Sequence, residues 1–278
     1  MDTPEKEKIT YESYLRVNDL LSLQDLKSDP PEHDETLFII IHQVYELWFK
    51  QILHEIDLCS TALRRDFLMR VMHALRRVNA IQKILIQQVD ILETMIPDDF
   101  ARFRGNINPA SGFQSSQFRV LEFRLGQKDP LFLNFFAPGS PARTNLETAL
   151  NEPSLYDDFL AFLSRRGFAI QGELLNRDVR ERHALNKGLT DVYESIYRNP
   201  ERFSDLYLGL EALLDLDEHV LLWRYRHVAM VERMIGGRPG TGGSTGAKYL
   251  KSTLDHRFFP EIWDVRNRIG SNYGQGLS

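Results

Sequence analysis

Residues 34–56 read DETLFIIIHQVYELWFKQILHEI and contain the pattern that decides the fold. Large apolar and aromatic residues recur in this segment at steps of three and four: Phe38, Ile41, Tyr45, Trp48, Ile52 and Ile56. Because side chains three and four positions apart share one side of a helix, this spacing predicts a long amphipathic helix. We expect it to begin near Asp34, after the break at Asp29-Pro30-Pro31.

Two further segments carry the same helical periodicity. One runs from Phe67 to Met95 and stops before Pro97, a residue that a helix interior does not tolerate. The other spans about 201–235, and its apolar stripe continues through a histidine: Leu213, Leu216, Val220, Trp223, His227, Met230 and Met234. Shorter helical patterns occupy the ranges 10–21, 98–104, 111–125, 191–198 and a tail to about residue 268.

The organisation of the whole chain follows from these patterns. No stretch shows the sustained alternation of a β-strand, no segment repeats, and no long linker divides the chain. The sequence therefore predicts an all-α fold, with one helical-bundle domain over residues 1–278 in which long helices enclose a pocket.

The composition excludes several classes of protein. Hydrophobic residues make up 42% and charged residues 26% of the chain, and the net charge is −5, so nucleic acid and anionic membranes are not expected partners. Cys59 is the only cysteine, which rules out an intramolecular disulfide, a thiolate metal cluster and the covalent attachment of c-type haem. Polar residues at the start of the sequence, and no apolar run of roughly 18 residues, predict a cytoplasmic protein.

His227 lies in the apolar stripe of the last long helix, and the spacing directs its imidazole toward the buried seam. By spacing alone, a core histidine that bonds a neighbouring carbonyl is the more common case. The alternative is an axial ligand to haem iron, since proximal ligation requires a neutral imidazole on a rigid element.

His42 stands in a similar apolar setting, after Leu37-Phe38-Ile39-Ile40-Ile41. Phe38 lies one turn earlier and should be adjacent to it on the same helical face. A structural role again accounts for the pattern by itself, but two buried histidines on two long helices are also compatible with a cofactor slot between the helices.

Arg104 and the glycine-dense segment GGRPGTGGSTG (236–246) are weaker signals. The guanidinium of Arg104 suits bidentate capture of a carboxylate, although an arginine at a helix end is more often a solvated charge. The glycine segment lacks the spacing of a phosphate-binding loop and follows a helix instead of a strand. It is either a flexible linker or a mobile loop that folds over a ligand, with Thr241 and Ser244 as polar contacts.

Four segments together resemble the tryptophan 2,3-dioxygenase family. They are LFIIIHQVYELWFKQILHE (37–55), FRGNINPASGFQSSQFRVLEFRLG (103–126), LWRYRHVAMVERMIG (222–236) and GTGGSTG (240–246). Weaker matches cover ITYESYL (9–15) and PSLYDDFL (153–160). The resemblance runs over most of the chain in the right order, and it shifts both histidines from core residues to site residues.

The resemblance implies a noncovalent haem b and the oxidative opening of the indole C2–C3 bond of L-tryptophan by O₂, giving N-formyl-L-kynurenine. His227 would be the axial ligand to the iron, and His42 the catalytic residue near the indole nitrogen. Substrate contacts would come from Phe38, Phe100, Arg104, Ile107, Ser111 and Thr241, and Gly112 would contact the haem. Arg104 would bind the carboxylate, and Thr241 the amino acid end when the loop closes.

The resemblance also implies a homotetramer, built as a dimer of dimers. Tyr11, Tyr14 and Leu15, in the N-terminal segment 1–25, would reach the pocket of a neighbouring subunit. Three positions depart from the family pattern: Ile41 replaces a polar residue, Phe100 replaces a tyrosine of many bacterial members, and Pro239 stiffens the loop. These departures leave open a related haem monooxygenase that acts on a substituted indole or methylated tryptophan. A non-enzymatic haem-binding sensor or scaffold is a third hypothesis, but it leaves Arg104 and Thr241 without a role.

Overall fold

The computed structural model describes residues 8–240 and 246–269, and these residues form helices joined by short loops, with no strand among them. The all-α prediction is confirmed. The α-helices are α1 (Tyr11–Leu15), α2 (Val17–Leu21), α3 (His33–Arg64), α4 (Leu68–Leu92), α5 (Pro97–Arg104), α6 (Ser116–Arg124), α7 (Pro141–Asn151), α8 (Leu155–Arg165), α9 (Gly172–Leu175), α10 (Lys187–Tyr197), α11 (Ser204–Ile235), α12 (Ala247–Ser252), α13 (Pro260–Asp264) and α14 (Arg266–Ile269). Two 3₁₀-helices cover Gly112–Gln114 and Pro130–Phe135.

The three long helices form the centre of the fold, and α4 packs along both α3 and α11. Their buried faces follow the predicted stripes: Ile52, Ile56, Leu75, Val78 and Leu216 are completely buried. Burying each such side chain contributes about 1.5 to 3 kcal/mol relative to leaving it exposed, so this seam holds the long helices together.

Shorter helices cover the outside of α3 and carry their own start signals. Helix α8 packs on α3, and α6 packs on both α3 and α7. The side chains of Ser140, Ser154 and Asn186 cap α7, α8 and α10, each by accepting a hydrogen bond from the backbone N–H three residues later. No helix in residues 8–240 and 246–269 combines the length and the apolar composition that crossing a membrane requires.

Three of the predicted helical segments are divided in the structure, and one of them is the tail to about residue 268, which forms α12, α13 and α14. The segment 10–21 breaks at Arg16, which adopts a left-handed conformation with φ of 53° between α1 and α2. Both pieces bury no residue, so no packing enforces a continuous helix. The segment 111–125 starts as a 3₁₀-helix, because the Ser115 side chain caps a new helix by accepting from Phe118 N–H.

Two buried carboxylates attach the C-terminal helices to the bundle. Asp217 on α11 accepts hydrogen bonds from the backbone N–H groups of Phe258 and Phe259 and from Trp263 Nε1, at 2.9, 3.1 and 3.0 Å. Glu261 on α13 accepts from Tyr156 OH at 2.7 Å and lies 2.8 Å from His183 Nε2. Long-range polar contacts of this kind fix the position of α13, which is too short to be stable alone.

The Asp217 contacts predict a large stability effect. Asp217→Ala leaves two buried backbone N–H groups and the half-buried Trp263 Nε1 without an acceptor. Each unsatisfied buried group costs about 1 to 3 kcal/mol. We expect a loss of about 3 kcal/mol or more in the free energy of unfolding, measured by urea denaturation. Asp217→Asn keeps an acceptor oxygen and should lose less. Asp215→Ala, at an exposed position of the same helix, is the control; an equal loss in Asp215→Ala would contradict the assignment.

Candidate active site

The candidate site lies between α3 and α11, near the C-terminal end of α5. His42 comes from α3, His227 from α11, and Phe100 and Arg104 from α5. We call the space that both imidazoles border the histidine recess. Tyr45 on α3 and Trp223 on α11 lie 6.3 Å apart between ring centroids, and His42 and His227 each lie about one helical turn from this pair.

His227 is held with its ring parallel to Trp223, one turn earlier on the same helix. The two ring centroids are 5.1 Å apart and the planes differ by 12°. Burial lowers the pKa of His227 to about 4, with a smaller contribution from His42. The imidazole is therefore neutral at physiological pH, and one ring nitrogen keeps a lone pair that can ligate a metal.

His42 is oriented by its own helix. Its Nδ1 lies 2.7 Å from the carbonyl oxygen of Phe38, which can only accept, so Nδ1 carries the proton and Nε2 is the acceptor in the neutral ring. Burial lowers the pKa of His42 against the opposing effects of this hydrogen bond and of Glu46. The side chain is nevertheless accessible to solvent. A lowered pKa and an accessible side chain are both expected for an imidazole at the wall of a recess.

The spacing prediction that both histidines are buried in a seam is therefore only partly right. His227 is half-buried and His42 is exposed, whereas the apolar neighbour Ile41 is 4% exposed. The apolar stripe predicts which helix face carries each histidine, but the exposure of the side chain depends on what the other helices leave uncovered.

An aromatic cluster closes one side of the recess. The Phe38 ring lies 4.1 Å from His42, 5.7 Å from Phe100 and 5.6 Å from Phe103, measured between centroids. Phe100 and Phe103 meet edge to face at 5.3 Å. Phe38 and Phe100, supported from below by the completely buried Phe103, form beside the His42 imidazole a surface that suits a flat, mostly apolar ring with a single polar group.

Arg104 is the last residue of α5, one turn after Phe100 on the same helix face. Its Nη2 donates a hydrogen bond to the carbonyl oxygen of Pro239, just after α11. Among residues 8–240 and 246–269, no carboxylate forms an ion pair with Arg104. Arg104 is thus a cation beside the aromatic cluster that has no carboxylate partner in the described part of the chain.

The other predicted site residues have different positions. Ile107 is half-buried in the loop after α5, and Ser111 and Gly112 lead into the first 3₁₀-helix, where the Ser111 side chain accepts a local bond from Phe113 N–H. Tyr11, Tyr14 and Leu15 are 79%, 75% and 46% exposed on α1, and α1 buries none of its residues. Thr241 lies outside the described residues.

Sequence reasoning assigned no role to Trp223 or Phe103, although both contact site residues. Trp223 stacks on His227 and lies 5.1 Å from Phe118 and 6.3 Å from Tyr45 between ring centroids. The signal was present, since Trp223 stands four residues before His227 in the same stripe. Phe103 is completely buried beneath Phe38, and only the tertiary packing reveals that contact.

The donor set limits which metal group the site can hold. The described part of the chain contains no cluster of three or more His, Cys, Asp or Glu side chains that could hold a metal ion by themselves. A single neutral imidazole beside an apolar recess instead fits haem, because the porphyrin supplies four of the iron ligands and the protein needs to supply one axial ligand.

Comparison with known proteins agrees with this geometry. A family model described as Tryptophan 2,3-dioxygenase matches residues 2–137 and 171–269. Three bacterial proteins named tryptophan 2,3-dioxygenase are similar to the chain. The one from Herpetosiphon aurantiacus is 49% identical over 258 residues, covering 93% of this chain and 97% of that protein. The one from Caulobacter vibrioides is 44% identical over 261 residues, covering 94% and 98%, and the one from Kineococcus radiotolerans is 43% identical over 264 residues, covering 95% and 92%. The chain belongs to the tryptophan 2,3-dioxygenase family.

Proposed function

We propose that this protein is a haem-dependent dioxygenase that cleaves the indole C2–C3 bond of L-tryptophan with O₂ and forms N-formyl-L-kynurenine. One observation carries the proposal: His42 and His227 each lie about one turn from the Tyr45–Trp223 contact that joins α3 and α11, next to the phenyl cluster. Arg104 lies beside this cluster and pairs with no carboxylate among residues 8–240 and 246–269. Family membership over most of the chain supports the same reaction. No feature of the site favours a monooxygenase.

His227 is the residue that would hold haem b, through the lone pair of its neutral imidazole. Parallel stacking on Trp223 restricts rotation of the ring and so keeps this nitrogen directed at one position. Haem supplies the activation of dioxygen when it is bound, a reaction for which amino acid side chains have no equivalent. We place Gly112 at the edge of the haem, where a residue without a side chain allows close approach.

His42 and the phenyl rings would position the indole. With Nδ1 donating to the Phe38 carbonyl, His42 Nε2 can accept a hydrogen bond from the indole N–H. Its lowered pKa keeps it in the accepting, neutral form near pH 7. Phe38 and Phe100 cover the ring faces and exclude water, so the substrate is held in one orientation.

Arg104 would bind the substrate carboxylate and distinguish an amino acid from bare indole. We further propose Ile107 and Ser111 as walls of the pocket and Thr241 as a contact to the amino acid end. The phenyl cluster and Arg104 together match the two halves of tryptophan, one apolar and one anionic.

We also propose that the enzyme is a homotetramer in which Tyr11, Tyr14 and Leu15 enter the pocket of a neighbouring subunit. Helices α1 and α2 bury none of their residues within their own chain, yet they carry several large apolar side chains. An exposed apolar segment of this kind is typical of a surface that another subunit covers. The cytoplasmic location stays a prediction.

The proposed reaction is tested with isotopically labelled dioxygen. The reduced, haem-loaded protein is given L-tryptophan and ¹⁸O₂, and the product is analysed by mass spectrometry. With ordinary O₂ we expect a product about 32 mass units heavier than the substrate, and with ¹⁸O₂ both oxygen atoms should carry the label. A single labelled atom would instead support a monooxygenase. The absence of any oxygenated product from L-tryptophan would contradict the proposal.

A further inference from the structure

The backbone just after α11 makes a sharp return. The helix ends at Gly236, which has φ of 59° and donates its N–H to the Glu232 carbonyl at 2.9 Å. Arg238 N–H then bonds the Ile235 carbonyl at 3.2 Å. Residues 236–240 and Gly246 form what we call the loop neck, and Gly246 immediately precedes α12.

Gly246 lies close to the backbone of Arg238 and Gly240, on the other side of the loop neck. It has φ of 61°, a conformation that strains any residue with a Cβ. A Cβ added at this position would lie 2.7 Å from the Arg238 carbonyl oxygen and 3.6 Å from the Gly240 nitrogen. Both neighbours are backbone atoms, so neither can rotate away as a side chain would. Only glycine allows this close approach.

The same backbone holds Arg104. Pro239, the residue between Arg238 and Gly240, presents the carbonyl oxygen that accepts from Arg104 Nη2. The pyrrolidine ring fixes φ of Pro239 and so removes one of the torsions that could absorb a displacement at Arg238 before it reaches this carbonyl.

The bond to Pro239 orients the guanidinium and uses only part of its hydrogen-bonding capacity. A guanidinium carries five N–H donors, and the bond to Pro239 uses one of them. Four donors remain for a bidentate carboxylate. Without an acceptor, the long side chain would sample many rotamers and would lose that freedom when a ligand binds.

We infer that Gly246 is a positioning residue for Arg104: its close contact with Arg238 places the Pro239 carbonyl, which pre-orients the guanidinium for the substrate carboxylate. The inference rests on the proposed function, in which Arg104 binds that carboxylate. Gly246 itself touches no reacting atom. Its effect should therefore be confined to ligands that carry a carboxylate.

The test compares two ligands and two glycines. Isothermal titration calorimetry measures the binding of L-tryptophan and of tryptamine to the haem-loaded wild type and to haem-loaded Gly246→Ala. Tryptamine has the same indole and ammonium groups as L-tryptophan but no carboxylate. We expect Gly246→Ala to weaken L-tryptophan binding about 10-fold and to leave tryptamine binding unchanged. The factor corresponds to the side-chain entropy that an arginine without a fixed orientation loses when it binds a carboxylate. KM should rise, and kcat at saturating L-tryptophan should be retained. Gly237→Ala is the matched control, because a Cβ there meets nothing within 4 Å.

A double-mutant cycle completes the test. In an Arg104→Met background, Gly246→Ala should have no further effect on L-tryptophan binding. Equal losses for both ligands, an undiminished loss in the Arg104→Met background, or no loss at all would overturn the inference. If Gly246→Ala does not fold, Pro239→Gly is the second variant, because it keeps the carbonyl oxygen but makes the backbone around it flexible. It should weaken the binding of L-tryptophan, by less than Gly246→Ala, and leave the binding of tryptamine unchanged. The wild type tests the proposed function separately, since it should bind L-tryptophan more tightly than tryptamine.

Discussion

Replacing His227 by alanine should abolish stable haem binding and, with it, turnover. The side chain is the one neutral imidazole that α11 directs into the histidine recess, and its pKa of about 4 keeps the lone pair free at neutral pH. Removing a group that only orients a metal ligand costs 10- to 100-fold in affinity, so losing the axial ligand should cost more than about 100-fold. Titration of the apoprotein with haemin, followed by the Soret band, measures the effect.

A second histidine of α11 provides the control for this experiment. His219 is also half-buried, and burial lowers its pKa as well, but it lies two turns away, near Lys83 and Asp215. His219→Ala should bind haem like the wild type. Added imidazole should partly restore the axial ligand, and hence the Soret band, in His227→Ala only. An unchanged haem spectrum and affinity in His227→Ala would remove the basis of the proposed site.

Replacing Arg104 by methionine should lower kcat/KM for L-tryptophan by about 30-fold or more. Methionine keeps much of the apolar stem but cannot bind a carboxylate. Leaving a buried charge of the ligand without its partner costs about 2 to 5 kcal/mol, which corresponds to this factor. Steady-state kinetics with L-tryptophan, together with binding of tryptamine, measure the effect, and tryptamine binding should change little.

Arg102→Met is the matched control for Arg104→Met. Arg102 lies on the same helix, but it is exposed and pairs with Asp98 at 3.1 Å and Asp99 at 3.8 Å. These carboxylates raise the pKa of Arg102, so its charge is already compensated. Kinetics close to the wild type are expected for Arg102→Met. Similar losses in the two variants would mean that α5 is sensitive to any substitution and that Arg104 has no special role.

The long helices were predictable because their information is local. Apolar residues at steps of three and four over 25 to 32 residues specify a buried face whatever the partner helix is, and α3, α4 and α11 follow it. The prediction of one continuous helix over 10–21 was wrong, because the segment forms two short helices. A short exposed segment has no packing that favours one long helix over two short ones. A weak pattern there left the break at Arg16 undetermined.

The candidate site was less accessible to local reasoning. Periodicity alone assigned His42 and His227 to a core, and it was the resemblance of whole segments that singled them out as site residues. The contacts of Phe38 with Phe100 and of Arg104 with Pro239 join residues 62 and 135 positions apart. No spacing rule links positions at such separations, because the chain between them can take many paths.

The amino-acid sequence by itself determined the helical class, the three long helices and the family, since these depend on repeated local spacing and on ordered motifs. The tertiary structure decided that α3 and α11 meet at Tyr45 and Trp223, that Trp223 stacks on His227, and that the loop neck holds the guanidinium of Arg104. The physical reason is that a helix pattern states which face is buried, whereas only the packing of several helices decides what that face meets.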